Sequence, residues 1–149
     1  MKIGIVGFGT VGKTIYHGFT LRDHEVYMND LLGVIPVYQA DYLLKAEMVA
    51  RCEVIFICVD TPTNKRGCDL SKVYQVFNDL HFEIAKQSKE DESIMPIIVV
   101  KSTVIPGTTD SLSKMYPYVY YNEQTTLLTT FSTLTASSLA PVVRESRTL

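Results

Sequence analysis

Residues Gly7-Phe8-Gly9-Thr10-Val11-Gly12-Lys13-Thr14, directly after the apolar run Ile3-Gly4-Ile5-Val6, have the types and spacing of a phosphate-binding turn. A glycine-rich turn between a strand and a helix offers backbone N–H groups at the positive end of the helix dipole, where phosphate is favoured. The octapeptide fits two patterns. As G-x-G-x-x-G it is a dinucleotide turn: Gly7 makes the tight turn, Gly9 lets the backbone approach a pyrophosphate, and Gly12 allows close helix–strand packing. The N–H groups of residues near 10 to 12 (Thr10, Val11, Gly12) then hold the phosphates. As G-x-x-x-x-G-K-[ST] it is a triphosphate loop, with Lys13 on the phosphates, Thr14 on magnesium and Asp60 as the second acid.

Asp30 discriminates between them. A dinucleotide fold needs an acid at the end of its second strand, about 20 residues beyond the glycines, to bind the adenosine ribose hydroxyls. Asp30 stands there, and a triphosphate loop has no use for it. An acid at that place also repels a 2′-phosphate, which favours NAD over NADP. Asp60 is then a loop residue.

The elements that must position these residues follow from the apolar pattern. Lys2 to Val6, ending in glycines, reads as a strand buried on both faces. Val11, Ile15, Phe19 and Leu21 give a helical face across roughly 10 to 22, and Glu25 to Asn29 a second strand. Residues 39 to 51 resemble a helix with Tyr42, Leu43, Ala46 and Val49 or Ala50 on one side, and Val54 to Val59 is the clearest strand. Thr61-Pro62-Thr63-Asn64-Lys65-Arg66-Gly67 has loop chemistry. Asp69 or Ser71 caps a helix reaching about Lys86, with Val73, Val76, Phe77, Leu80 and Ile84 inward. Ile97 to Val100 is a strand, Pro106-Gly107 a break, 108 to 115 a short helix, and Tyr118 to Tyr121 a fifth strand. This alternation predicts an α/β Rossmann-type fold, a doubly wound parallel sheet in three α/β/α layers. The ligand belongs at the carboxyl ends of its strands.

A length of 149 residues fits one domain, and 46% apolar with 20% charged residues is a globular composition. The net charge of −2 gives no electrostatic reason to expect nucleic acid. Cys52, Cys58 and Cys68 lack C-x-x-C spacing and read as reduced thiols. His17, His24 and His81 share no metal-ligand or triad spacing, so no metal is assigned. No apolar run has the length of a membrane span, and the N-terminus lacks a signal-peptide pattern. The expected location is cytoplasmic, with no membrane partner and with oligomerisation left open.

Two further segments carry a family resemblance. Ile57-Cys58-Val59-Asp60-Thr61-Pro62-Thr63, followed by Asp69-Leu70-Ser71, resembles the Val-x-Thr-Pro...Asp-Leu-Ser signature of the UDP-glucose/GDP-mannose dehydrogenase family. Val99-Val100-Lys101-Ser102-Thr103-Val104-Ile105-Pro106-Gly107-Thr108 resembles its Lys-Ser-Thr-Val...Gly-Thr segment, and Gly-Phe-Gly-Thr-Val-Gly its opening turn. The resemblance implies that Val11 packs beside the NAD pyrophosphate and that Asp30 is the ribose acid. It also implies that Thr61 lines the cofactor and that Thr103 lies between NAD and the reacting sugar. Hydroxyls suit that task, as neutral hydrogen-bonding groups at strand ends. Lys101 reads as a strand-end residue without chemistry.

Family members oxidise the C6 alcohol of a nucleotide sugar to the acid in two hydride transfers to NAD, through a cysteine-bound thiohemiacetal. The resemblance implies that this cysteine lies in a region beyond what the chain contains. Cys52, Cys58 and Cys68 do not match its position, so no catalytic residue is assigned. The expectation is a cofactor-binding domain over 1–122, inactive alone, with a nucleotide-sugar substrate only in a full-length relative. Two alternatives stand beside it: a triphosphate-binding protein using Gly7 to Thr14, and a stand-alone NAD-responsive binding module.

From 123 onward the composition changes: 11 of the last 27 residues are Ser or Thr, and glycine is absent. It reads as a Ser/Thr-rich tail. Joining the third base of each codon to the first two of the next lets Thr129 through Ala140 spell Asp-Phe-Leu-Asn-Pro-Asp-Ser/Arg-Ile-Ile-Ile-Gly, a segment of the family. The expectation is an out-of-frame tail after a small deletion.

Overall fold

Ile3 and Ile5 of Lys2–Val6 pack on one face of a sheet and Val6 on the other, and the resulting strand, β1, is one of its two inner strands. In the computed structural model, which describes residues 1–33, 41–89 and 95–115, the elements follow in βα alternation. They are α1 (Thr10–Thr20), β2 (Glu25–Asn29), α2 (Lys45–Arg51), β3 (Val54–Ile57), the short strands β4 (Thr63–Asn64) and β5 (Gly67–Cys68), α3 (Ser71–Gln87), β6 (Ile97–Val100) and α4 (Thr108–Met115).

The main sheet is parallel, in the order β2-β1-β3-β6. Its register pairs Ile3 with Val26 and Val54, and Val54 with Ile97. One face buries Ile3, Ile5, Val26, Met28 and Phe56 against Tyr16 and Phe19 of α1. The opposite face buries Val6, Ile55, Ile57 and Ile98 against Met48 and Val49 of α2 and five residues of α3. The Rossmann-type three-layer fold is the outcome, with helices on both faces as parallel strands require.

The expected inward face of α3 holds: Val73, Val76, Phe77, Leu80 and Ile84 are its buried residues. Its N-cap, however, is Leu70, with Ser71 already in the helix and Asp69 one position before the cap. The Ser71 hydroxyl and backbone N–H hold the Asp69 carboxyl below the usual carboxylate range, and the backbone bond is 2.9 Å. Three other local readings differ from the sequence pattern. The inner face of α1 is Gly12, Tyr16 and Phe19, while Val11 is 49% and Leu21 85% exposed. Close packing of Gly12 against the preceding turn sets the helix rotation, and Leu21 lies past the last turn. Next, α2 starts only at Lys45. Tyr42 and Leu43 instead run beside β2, with a parallel bridge from Met28 to Tyr42 and the Leu43 N–H on the Met28 carbonyl at 3.0 Å. Glu47 then reaches back to the Leu44 N–H at 2.9 Å and starts the helix. Finally, the expected loop at 61–67 contains the antiparallel β4–β5 pair, Thr63 with Cys68 and Asn64 with Gly67. The expected strand Tyr118 to Tyr121 and the tail from 123 lie outside the described residues.

Candidate functional site

Strands β1 and β3 are neighbours, but the chain leaves β1 toward β2 and leaves β3 toward β6. Their carboxyl ends therefore form the switch-point crevice at which open α/β sheets bind ligands. Every residue singled out from the sequence lies on this edge: Gly7, Gly9, Thr10, Val11 and Gly12 after β1, Asp30 after β2, Thr61 after β3 and Thr103 after β6.

The three glycines of the turn differ in what demands them. Gly7 has φ +97°, and a Cβ there would sit 2.5 Å from the Cys58 carbonyl oxygen at the end of β3. A Cβ on Gly12 would sit 2.1 Å from the Gly7 carbonyl oxygen, so the helix rests directly on the turn. Gly9 faces open space, with nothing within 4 Å of a Cβ built on it. It is also the N-cap of α1, and no side chain caps that helix. The first-turn N–H groups of Thr10, Val11 and Gly12 lack intrahelical partners by the geometry of any helix start. An uncapped helix start above a glycine with room over it fits a pyrophosphate.

Asp30 is bound into this turn. Its Oδ2 accepts the Phe8 N–H at 2.7 Å and its Oδ1 the Leu32 N–H at 2.9 Å. The Asn29 carbonyl accepts the Gly7 N–H at 2.8 Å. The buried Asn29 amide in turn donates to the Leu43 carbonyl at 2.8 Å and to the Tyr42 hydroxyl at 3.2 Å.

On the other side of the crevice, Thr61 is half-buried and Thr103 exposed. Ser102, which the sequence reading passed over, is the buried brace of this side. Its hydroxyl donates to the Val59 carbonyl at 2.7 Å, and its N–H to the Ile57 carbonyl at 3.0 Å. The Cys68 thiol on β5 lies 3.7 Å from the Thr61 carbonyl oxygen and 4.0 Å from that of Thr103, so the hairpin spans both threonine loops. A polar residue straight after a buried apolar strand was the available signal for Ser102; nothing in the sequence announced Cys68. The Lys101 N–H bonds the Ile57 carbonyl at 2.8 Å, a strand-end contact. Burial pushes the thiols of Cys52 and Cys58 up to about 12.

The triphosphate pattern has a different geometry from this one. Helix α1 begins at Thr10, so the residues between the glycines are not an open loop. The Thr14 hydroxyl is engaged by the Thr10 carbonyl at 2.9 Å, and Asp60 pairs with Lys72 at 3.3 Å on the surface.

No helix among the described residues is long and apolar enough to cross a membrane. The model of the UDP-glucose/GDP-mannose dehydrogenase family, NAD binding domain, matches residues 39–132. YtcA of Bacillus subtilis (strain 168), assigned by name to the UDP-glucose 6-dehydrogenases, is 30% identical over 137 residues, covering 76% of this chain and 30% of its own length. The GDP-mannose 6-dehydrogenase of Pseudomonas aeruginosa is 29% identical over 138 residues, with 75% and 30% covered. The chain thus spans about 30% of the length of these curated relatives. Among solved structures, a ternary complex of GDP-mannose dehydrogenase from Pseudomonas aeruginosa superposes with TM-score 0.61 at 26% identity, covering 78% of this chain and 33% of that one. A UDP-glucose dehydrogenase from Pyrobaculum islandicum shares the fold with TM-score 0.62 at 23% identity, covering 77% and 32%. The matched span contains both threonine loops, and the glycine turn lies N-terminal to it. The chain belongs to the UDP-glucose/GDP-mannose dehydrogenase family and carries its NAD-binding domain.

Proposed function

We propose that the chain holds NAD across the β1–β3 crevice for the oxidation of a nucleotide-sugar C6 alcohol to the acid, and that it does not turn over by itself. The uncapped start of α1 over Gly9 carries this reading. The N–H groups of Thr10, Val11 and Gly12 take the pyrophosphate, Gly7 and Gly12 fix the turn, and Asp30 takes the adenosine ribose hydroxyls. Thr61 and Thr103 line the cofactor from the β3 and β6 loops, with Thr103 on the substrate side. When bound, NAD supplies the hydride acceptor; the chain's residues bind and orient it. None of the three cysteines is the family nucleophile: Cys52 and Cys58 are buried thiols held neutral, and Cys68 is placed between two carbonyls. The setting proposed is cytoplasmic, in keeping with three free thiols among the described residues.

Calorimetric titration of the 149-residue chain tests this. NAD binding that falls at least tenfold in Gly9→Ala and is unchanged in Lys13→Ala is the expected result. Magnesium-dependent ATP binding abolished by Lys13→Ala would overturn it. So would NADH formation above background when the chain alone is given UDP-glucose or GDP-mannose.

A further inference from the structure

We propose that Asp30 is a positioning residue for the phosphate turn in addition to its ribose role, so that ribose and pyrophosphate recognition form one coupled unit. The proposal rests on the reading of this crevice as an NAD site. Its ground is that neither carboxylate oxygen stands alone: Oδ2 holds the N–H of Phe8, the residue between Gly7 and Gly9, and Oδ1 holds the N–H of Leu32. The Phe8 bond, at 2.7 Å, has the length of a charge-assisted hydrogen bond. Beside it the Asn29 carbonyl holds the Gly7 N–H, so two consecutive amides of the turn are fixed by the two last residues of the β2 end.

Two consequences follow. The Gly7 and Phe8 N–H groups are engaged inside the protein, which leaves the phosphate to the first-turn donors of α1. Each carboxylate oxygen keeps a further lone pair for a ribose hydroxyl, because an ionised carboxylate offers about four acceptor sites. The carboxylate is also locked: turning it away from a 2′-phosphate would break both backbone bonds. Selectivity for NAD over NADP then comes from a charge that has no alternative place to go.

The experiment uses the full chain, wild type and with Asp30→Ala or Asp30→Asn. It titrates NAD and an NAD analogue lacking the 2′ and 3′ hydroxyls of the adenosine ribose, and it records the Phe8 amide resonance without ligand. A purely ribose-binding acid predicts that Asp30→Ala leaves analogue affinity unchanged. Positioning predicts that analogue affinity falls about fivefold or more in Asp30→Ala and recovers in part in Asp30→Asn, whose amide oxygen still accepts the Phe8 N–H. It also predicts an upfield move of the Phe8 amide in Asp30→Ala. Unchanged analogue affinity, or a Phe8 amide that does not move, overturns the proposal. Because the amide shift needs no ligand, a wild-type chain that failed to bind NAD would overturn the proposed function while the shift still decided the bracing.

Discussion

On the β1–β2 side of the crevice the turn is closed by glycines packed directly on backbone carbonyls, with the Asp30 carboxylate joined to it. On the β3–β6 side no such glycine contact occurs among the described residues, and the Ser102 hydroxyl and Cys68 thiol tie the loops to backbone carbonyls. The first side has Gly7 against the Cys58 carbonyl, Gly12 against the Gly7 carbonyl, and two turn amides taken by Asn29 and Asp30. The second has the Ser102 hydroxyl on Val59 and the Cys68 thiol between the carbonyls of Thr61 and Thr103. On the function proposed above, the phosphates call for fixed N–H groups, which a closely packed turn supplies. The threonine loops would then present hydroxyls, and those can stand on longer segments tied down at a few points.

The contrast breaks most sharply at the glycines. Gly12→Ala forces a Cβ placed 2.1 Å from a carbonyl oxygen, so the helix or the turn has to shift. The expected loss is about 3 kcal/mol, read in thermal melting as roughly 10 °C. Gly9→Ala meets nothing and is expected to stay within about 1 kcal/mol of wild type. Equal losses at both positions would show that the packing demand on the turn is not confined to the glycines that touch backbone.

On the opposite side, Ser102→Ala removes a buried hydroxyl and leaves the Val59 carbonyl short of a donor. A loss of about 1–2 kcal/mol in urea unfolding is expected. A loss as large as that of Gly12→Ala would make the second side as rigidly specified as the first.

The effect of the thiols is confined to alkaline pH and is absent at neutrality. Cys52 and Cys58 have values near 12 against an ordinary 9.0, because burial disfavours the thiolate. The stabilisation from keeping them neutral is complete below pH 9 and is lost as pH rises toward 12. Cys58→Ala is expected to flatten the alkaline fall in stability, followed by unfolding at stepped pH. At pH 8 iodoacetamide should label the half-buried Cys68 well before Cys52 or Cys58. Labelling of Cys58 at the rate of Cys68 would show that the β3 end opens readily.

Most of the frame was legible because it depends on short-range rules. The four principal strands and the five inward residues of α3 follow from apolar period, and the order of βα units implied a parallel sheet with its ligand at the carboxyl edge. The start of α2 and the inner face of α1 were misread for a tertiary reason. Tyr42 and Leu43 have a helical-looking spacing, yet the open edge of β2 captures them as extended chain. Val11 continues an apolar pattern, yet Gly12 must face the turn, and that rotates Val11 outward.

By itself the sequence determined the fold class, the glycine turn, the acid at position 30 and the two threonine loops, because each is a local pattern of residue type and spacing. Only the tertiary structure decided which glycines touch backbone and which faces open space, since that depends on what lies within a few ångströms of a missing Cβ. It alone showed Asp30 joined to Phe8 and Ser102 joined to Val59. Those partners are 22 and 43 residues apart, brought together by the parallel pairing of β1 with β2 and of β3 with β6, which sets the carboxyl ends of distant strands side by side.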